Sequence, residues 1–252
     1  MIESWLHYLP LTGLAFARCA GAFLLAPPTG WRHFPVLLRL GVAAVVAVPL
    51  SLSLAPLMPA SAVPVGDWLL MLVKEVAVGL AIGLGLWLLV WGFFVAGHLG
   101  EVTILPTEEE EGGPLARLLY LVAILLFLQL NGHHWLLAFL RDSYSLAPAG
   151  LAEVGRLTTT ASGWLYWPGR MLLISLSAAA PWVLAIVLAS AMTAALDRCL
   201  VGAQVAQLGG GVRYLTALVA LIVTLPLLGG FLLGQVDAAA ADIARVIAAL
   251  GR

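Results

Sequence analysis

Few residues in this chain are of a type that could do chemistry, and most of those sit inside apolar runs. Arg18 and Cys19 fall within AFARCAGAFLL, and Lys74 and Glu75 within LLMLVKEVAVGLAIG. Asn131, Gly132, His133 and His134 interrupt LFLQLNGHHWLLAFL. An ionisable residue inside an apolar run faces protein or water, where it either pairs with an opposite charge or lines a path. For Arg18 both readings stand. Lys74, the only lysine, and Glu75 are adjacent and point about 100° apart on a helix, so each needs a partner elsewhere. They are expected as an interfacial pair near the opening of their span. Metal ligands share a face at i, i+4 spacing, whereas neighbours diverge. His133 and His134 therefore predict no metal site but a helix break, its freed backbone groups satisfied by Asn131, the imidazoles or water. Glu108, Glu109, Glu110 and Glu111 repel one another and predict a solvated loop within EVTILPTEEEEGG. No HExxH, GxSxG, Walker or dinucleotide-binding pattern occurs. Carboxylates deep in the spans are not expected, which weakens proton-coupled transport. No catalytic residue and no cofactor site is predicted.

The elements that must position these residues follow from composition. Of 252 residues, 62% are hydrophobic and 10% charged, against roughly 25% charged in soluble proteins. Mean hydropathy is +1.05. These values exclude a soluble globular enzyme, a disordered chain and a basic nucleic-acid binder. A net charge of −1 supplies no polybasic surface, and two distant cysteines, Cys19 and Cys199, supply no disulfide framework. A polytopic membrane protein is predicted.

A helix needs about 20 apolar residues to cross roughly 30 Å of hydrocarbon. Apolar runs cover residues 9–26, 36–55, 68–99, 115–140, 171–196 and 214–233. The first lacks the basic flank of a cleaved signal and is ended by Pro27, Pro28 and Gly30. Pro49 lies inside the second run, Pro181 predicts a kink in the fifth, and the fourth run breaks at Asn131-Gly132. Val236, Ile243, Val246, Ile247 and Leu250 recur at helical spacing and predict an amphipathic tail helix. Gly79 and Gly83 form a small-xxx-small pair that lets helices approach closely, and Gly92, Ala96 and Gly100 continue the four-residue spacing. Arg32 and Arg39 after the first run favour an outside N terminus, but Arg141, Arg156 and Arg170 then fall on the wrong side of six simple crossings. The fold class predicted is all-α, with about six long, kinked hydrophobic helices in a single membrane domain over residues 1–252.

Several of these features occur together in one family. The stretch ARCAGAFLLAPPTGWRHFPVLLRLGVA resembles the opening of the flagellar export-gate R subunit family and of its injectisome type III secretion counterpart, the T subunit, through Arg18, Gly21, Pro27, Gly30, Pro35 and Arg39. KEVAVGLAIG is similar to the family's lysine-glutamate start and spaced glycines through Lys74, Glu75, Gly79 and Gly83, with Ala96-Gly97 as the small pair ending that helix. LNGHHWLLAFLRDSYSLAPAG resembles the flagellar form through Asn131, Gly132, His133, Ser143 and Pro148. Two segments depart from the family pattern. After Gly100 a shorter glutamate-rich loop replaces a glycine- and serine-containing one. Beyond Asp197-Arg198, the positions Val201, Gln204, Gly211 and Arg213 keep only the last charge.

The resemblance implies a non-enzymatic, cofactor-free subunit of the bacterial inner membrane, placed in a flagellar basal body or type III secretion base. It implies assembly with P and Q subunits, contact with a B-type switch subunit, and passage of unfolded export substrates. The family fold is similar to a fusion of P and Q, with long bent hairpins lifted partly out of the membrane plane. Arg18, Arg39, Lys74, Glu75, Asn131 and His133 become candidate inter-helix or inter-subunit contacts, and Gly79 and Gly83 positions of tight packing. By the same resemblance, Glu108 to Glu111 would belong to a loop that restricts the central path. A small-solute transporter using Arg18, Lys74 and Glu75 is the alternative of another class, and an intramembrane enzyme using His133 or His134 is the third reading.

Overall fold

The computed structural model describes residues 2–27, 34–54, 65–104 and 113–149, and scattered positions between 169 and 248. Among the described residues there is no strand, and the fold is all-α. Helix α1 runs Ile2–Leu25, α2 Val36–Leu54, α3 Val65–Ile104, α4 Pro114–Gln129 and α5 Gly132–Leu146. The described positions within residues 169–198 and 211–248 are helical as well; of the tail positions read at helical spacing, Ile247 is described, and Val236, Ile243, Val246 and Leu250 lie outside the described residues.

Proline sets several of these boundaries. The last turn of α1 closes with the Ala26 N–H on the Ala22 carbonyl, 2.8 Å. Pro27 follows and has no N–H to continue the ladder. Pro35 precedes α2, and its carbonyl accepts the Leu38 and Arg39 N–H groups at 3.0 and 3.3 Å. Pro114 opens α4 in the first turn, where its missing donor is harmless. Between α4 and α5, Leu130 closes the first helix through the Leu126 carbonyl, 2.9 Å. Asn131 then takes φ 57, ψ 31, in the left-handed region. It is the one non-glycine with positive φ among the described residues, and asparagine is one of the few residues that tolerate it. Its carbonyl restarts the ladder by accepting the His134 and Trp135 N–H groups.

The 40 residues of α3 extend about 60 Å at 1.5 Å per residue, well beyond one hydrocarbon thickness. This length corrects three expectations. Lys74 and Glu75 do not open the helix, because Val65 to Val73 already belong to it. Glu75 is therefore a carboxylate inside an apolar helix, where none was expected. Ala96-Gly97 does not end it either: residues 98–104 contain no proline, and the helix continues through Glu101 to Ile104. Among the described residues, Val36–Ser53 and Gly66–Val102 are long and apolar enough to cross a membrane, and α4 with α5 make a third if taken as one broken span.

Two compact units emerge. One contains Met1–Leu88, Asn131–Pro168 and Val236–Arg252; the other contains Leu89–Leu130 and Gly169–Gln235. In the first, α1 packs on α2, and the core gathers Leu14, Cys19, Phe23, Ile82, Leu140 and Ile247. Of the described positions after residue 236, Ile247 and Asp242 are buried, and Asp242 is bridged to Arg245 at 2.5 Å. The other unit is centred on Leu89, Phe93, Leu119 and Phe127. Helix α2 keeps a broad apolar face outward, with Leu37 84% and Val45 74% exposed.

Candidate functional site: a buried arginine centre

Arg18 is fully buried in the first unit, at 0% exposure. Small residues make this possible, since Ala15, Ala17, Cys19 and Ala22 surround it on α1 and are themselves buried. Its partners come from two other helices. The Arg18 Nε donates to Glu75 Oε2 at 2.7 Å and Nη2 to Glu75 Oε1 at 3.1 Å, a two-pronged pair between α1 and α3. Nη1 donates to Ser143 Oγ on α5 at 2.9 Å, and Nη2 also donates to the Ala147 carbonyl at 2.9 Å. The Ser143 hydroxyl spends its own hydrogen on the Leu140 carbonyl at 2.7 Å, which leaves a lone pair facing the arginine. The Tyr144 ring lies under the guanidinium, 3.7 Å from its carbon to the ring centroid, a cation–π contact. Four of the five guanidinium N–H donors are thus directed at named acceptors.

This satisfaction is what burial demands. An isolated ion in a dry interior is prohibitively unfavourable. A buried pair breaks roughly even against apolar residues, while losing one partner costs about 3–5 kcal/mol. The centre therefore specifies which helices meet more than it adds net stability.

Beside it, glycines bring α1 and α3 to backbone contact. A Cβ on Gly79 would collide with the Arg18 carbonyl, and one on Gly83 with the Ala22 carbonyl. From the other side, a Cβ on Gly21 would stand 2.5 Å from the Val76 carbonyl oxygen. The spaced glycines read from the sequence thus face α1.

The remaining candidates lie elsewhere. Lys74 is half-buried and takes no part in the arginine centre. The Arg39 guanidinium donates to the Leu24 carbonyl at 2.9 Å and the Phe34 carbonyl at 3.1 Å, tying the end of α1 to the start of α2. Asn131 acts through its backbone: it is exposed, its side chain makes no capping bond, and its carbonyl takes the His134 and Trp135 N–H groups. His133 and His134 are exposed, with rings 4.3 Å apart. Among the described residues, no group of three or more His, Cys, Asp or Glu is close enough to hold a metal. Glu108 to Glu111 lie outside the described residues.

Sequence reasoning missed a clasp in the second unit. Glu101, read as the first residue of a polar loop, is buried in the last turn of α3. Its Oε2 accepts the Gly113 N–H at 2.7 Å and its Oε1 the Leu115 N–H at 2.5 Å, satisfying donors at the start of α4. Gly97 faces the Ala116 backbone, and Gly113 leaves room for the Glu101 carboxylate. The available signal was GGP, a helix start without the usual Ser, Thr, Asp or Asn cap, which called for an acceptor from elsewhere.

Long apolar helices, glycine seams and a buried, hydrogen-bonded ion pair are the marks of a helical membrane protein. The chain belongs to the bacterial export proteins, family 1, whose pattern matches residues 9–239. It is 29% identical over 161 residues to the flagellar biosynthetic protein FliR of Escherichia coli K12, covering 59% of each chain. It is 30% identical over 148 residues to FliR of Pectobacterium carotovorum, covering 53% of each chain. The chain thus matches little more than half the length of these relatives.

Proposed function

We propose that this protein is a non-enzymatic subunit of a flagellar type III protein export gate in the bacterial inner membrane. There, together with P and Q subunits, it helps form the central channel for unfolded substrates, and it contacts a B-type switch subunit. The family match over residues 9–239 carries this reading, and the names of both relatives favour the flagellar over the injectisome form. The exposed apolar face of α2 supports a role among lipids or other subunits rather than as a soluble chain. The charges that suggested a solute path, Arg18 and Glu75, face each other instead.

Co-expression with P and Q subunits from the same cell tests the proposal. A single detergent-stable complex is expected, together with loss of swimming and of filament-protein export when this gene is deleted. A chain that purifies as a stable homogeneous monomer beside its intended partners, in a deletion strain that still swims, would overturn it.

A further inference from the structure

The ion pair and the glycine seam are one interface. Arg18 offers its side chain to Glu75 and its backbone carbonyl to Gly79, four residues further along α3. Gly21 and Ala22 continue the contact on α1, and Val76 and Gly83 on α3. Backbones this close leave no room for a water layer between the helices. A guanidinium left without its counter-charge at position 18 therefore reaches water only if the helices separate. The other acceptors of the guanidinium, Ser143 and the Ala147 carbonyl, are neutral. Among the described residues Glu75 is the carboxylate bridged to Arg18.

We propose that the α1–α3 seam is conditional on charge, so that α1 is retained against α3 only in chains where the Arg18–Glu75 pair has closed. The pair works as an internal checkpoint. Arg18 is synthesised 57 residues before its partner, and until α3 arrives the seam has neither its counter-charge nor its glycine face. A chain that fails to close the pair exposes a helix carrying an uncompensated charge, the form that proteases remove.

The chain carries its own reporter, because Cys19, next to Arg18, is a free thiol at 0% exposure. The full-length protein with Cys199→Ser is expressed in its own membranes and treated with N-ethylmaleimide, and both Cys19 labelling and chain abundance are read. The parent is expected to stay unlabelled. Glu75→Gln, close in shape but neutral, is expected to become labelled or to fall several-fold in abundance. Arg18→Gln with Glu75→Gln removes both charges and is expected to return both readouts towards the parent. Parental behaviour of Glu75→Gln, or a double variant as labelled or depleted as that single one, would overturn the proposal.

Discussion

Glu75 meets Arg18 side-on, each carboxylate oxygen taking one hydrogen bond, from Nε at 2.7 Å and from Nη2 at 3.1 Å. The rest of the guanidinium faces acceptors only: a serine whose proton is already committed and a backbone carbonyl. The site is therefore polarised, built for a cation on α1 and an anion on α3. Arg18→Glu combined with Glu75→Arg keeps the net charge but sets a carboxylate against the Ala147 carbonyl. This swap is expected to destabilise about as much as a single charge removal, roughly 3–5 kcal/mol. The thermal midpoint in detergent checks it, and a swap that melts with the wild type would show that charge sum alone governs the site.

Tyr144 separates ring from hydroxyl. Its ring supports the guanidinium, whereas its hydroxyl is buried with no hydrogen-bond partner among the described residues. Tyr144→Phe is expected to be neutral or to stabilise by up to about 1 kcal/mol, since an unsatisfied polar group is removed. Tyr144→Leu loses the ring face and is expected to lower the melting midpoint. Equal effects of the two substitutions would contradict this division.

The glycines of α3 and α2 give a matched contrast. Gly79→Ala and Gly83→Ala push a methyl into α1 backbone and are expected to cost roughly 1–3 kcal/mol as overpacking, or more where the helices cannot shift. Gly41→Ala on α2 meets nothing within 4 Å and is expected to stabilise by about 0.5–1 kcal/mol through helix propensity. Melting curves of the three variants decide it.

At the break between α4 and α5, conformation matters rather than the amide. Asn131→Gly keeps access to the left-handed region and is expected to be nearly neutral, while Asn131→Val is expected to cost at least about 1–2 kcal/mol. A valine variant as stable as the glycine one would mean that the backbone there is not held at positive φ.

How much of this was readable in the sequence depends on distance along the chain. The helices announced themselves through apolar runs and prolines, as did the break at Asn131. Arg18 and Glu75 were each conspicuous, but nothing local pairs residues 57 positions apart. Small-xxx-small spacing marked Gly79 and Gly83 as a contact surface without naming α1 as the neighbour. Ser143 stood out only through family resemblance. Tyr144 and Ala147 carried no signal, one an ordinary aromatic and the other contributing a backbone carbonyl. Glu101 was misread because a glutamate beside a polar stretch looks solvated, whereas its burial is set by donors of a helix that begins twelve or more residues later.

The Glu101 clasp bears on how much alteration the α3–α4 connection can take. One carboxylate fastens the end of α3 to the start of α4, so the register of those helices does not depend on the composition of residues 105–112 that join them. Changes to that connector, in length or in acidity, leave both donors and the carboxylate of the clasp in place. A change made in the connector is thereby uncoupled from the helix ends on either side of it.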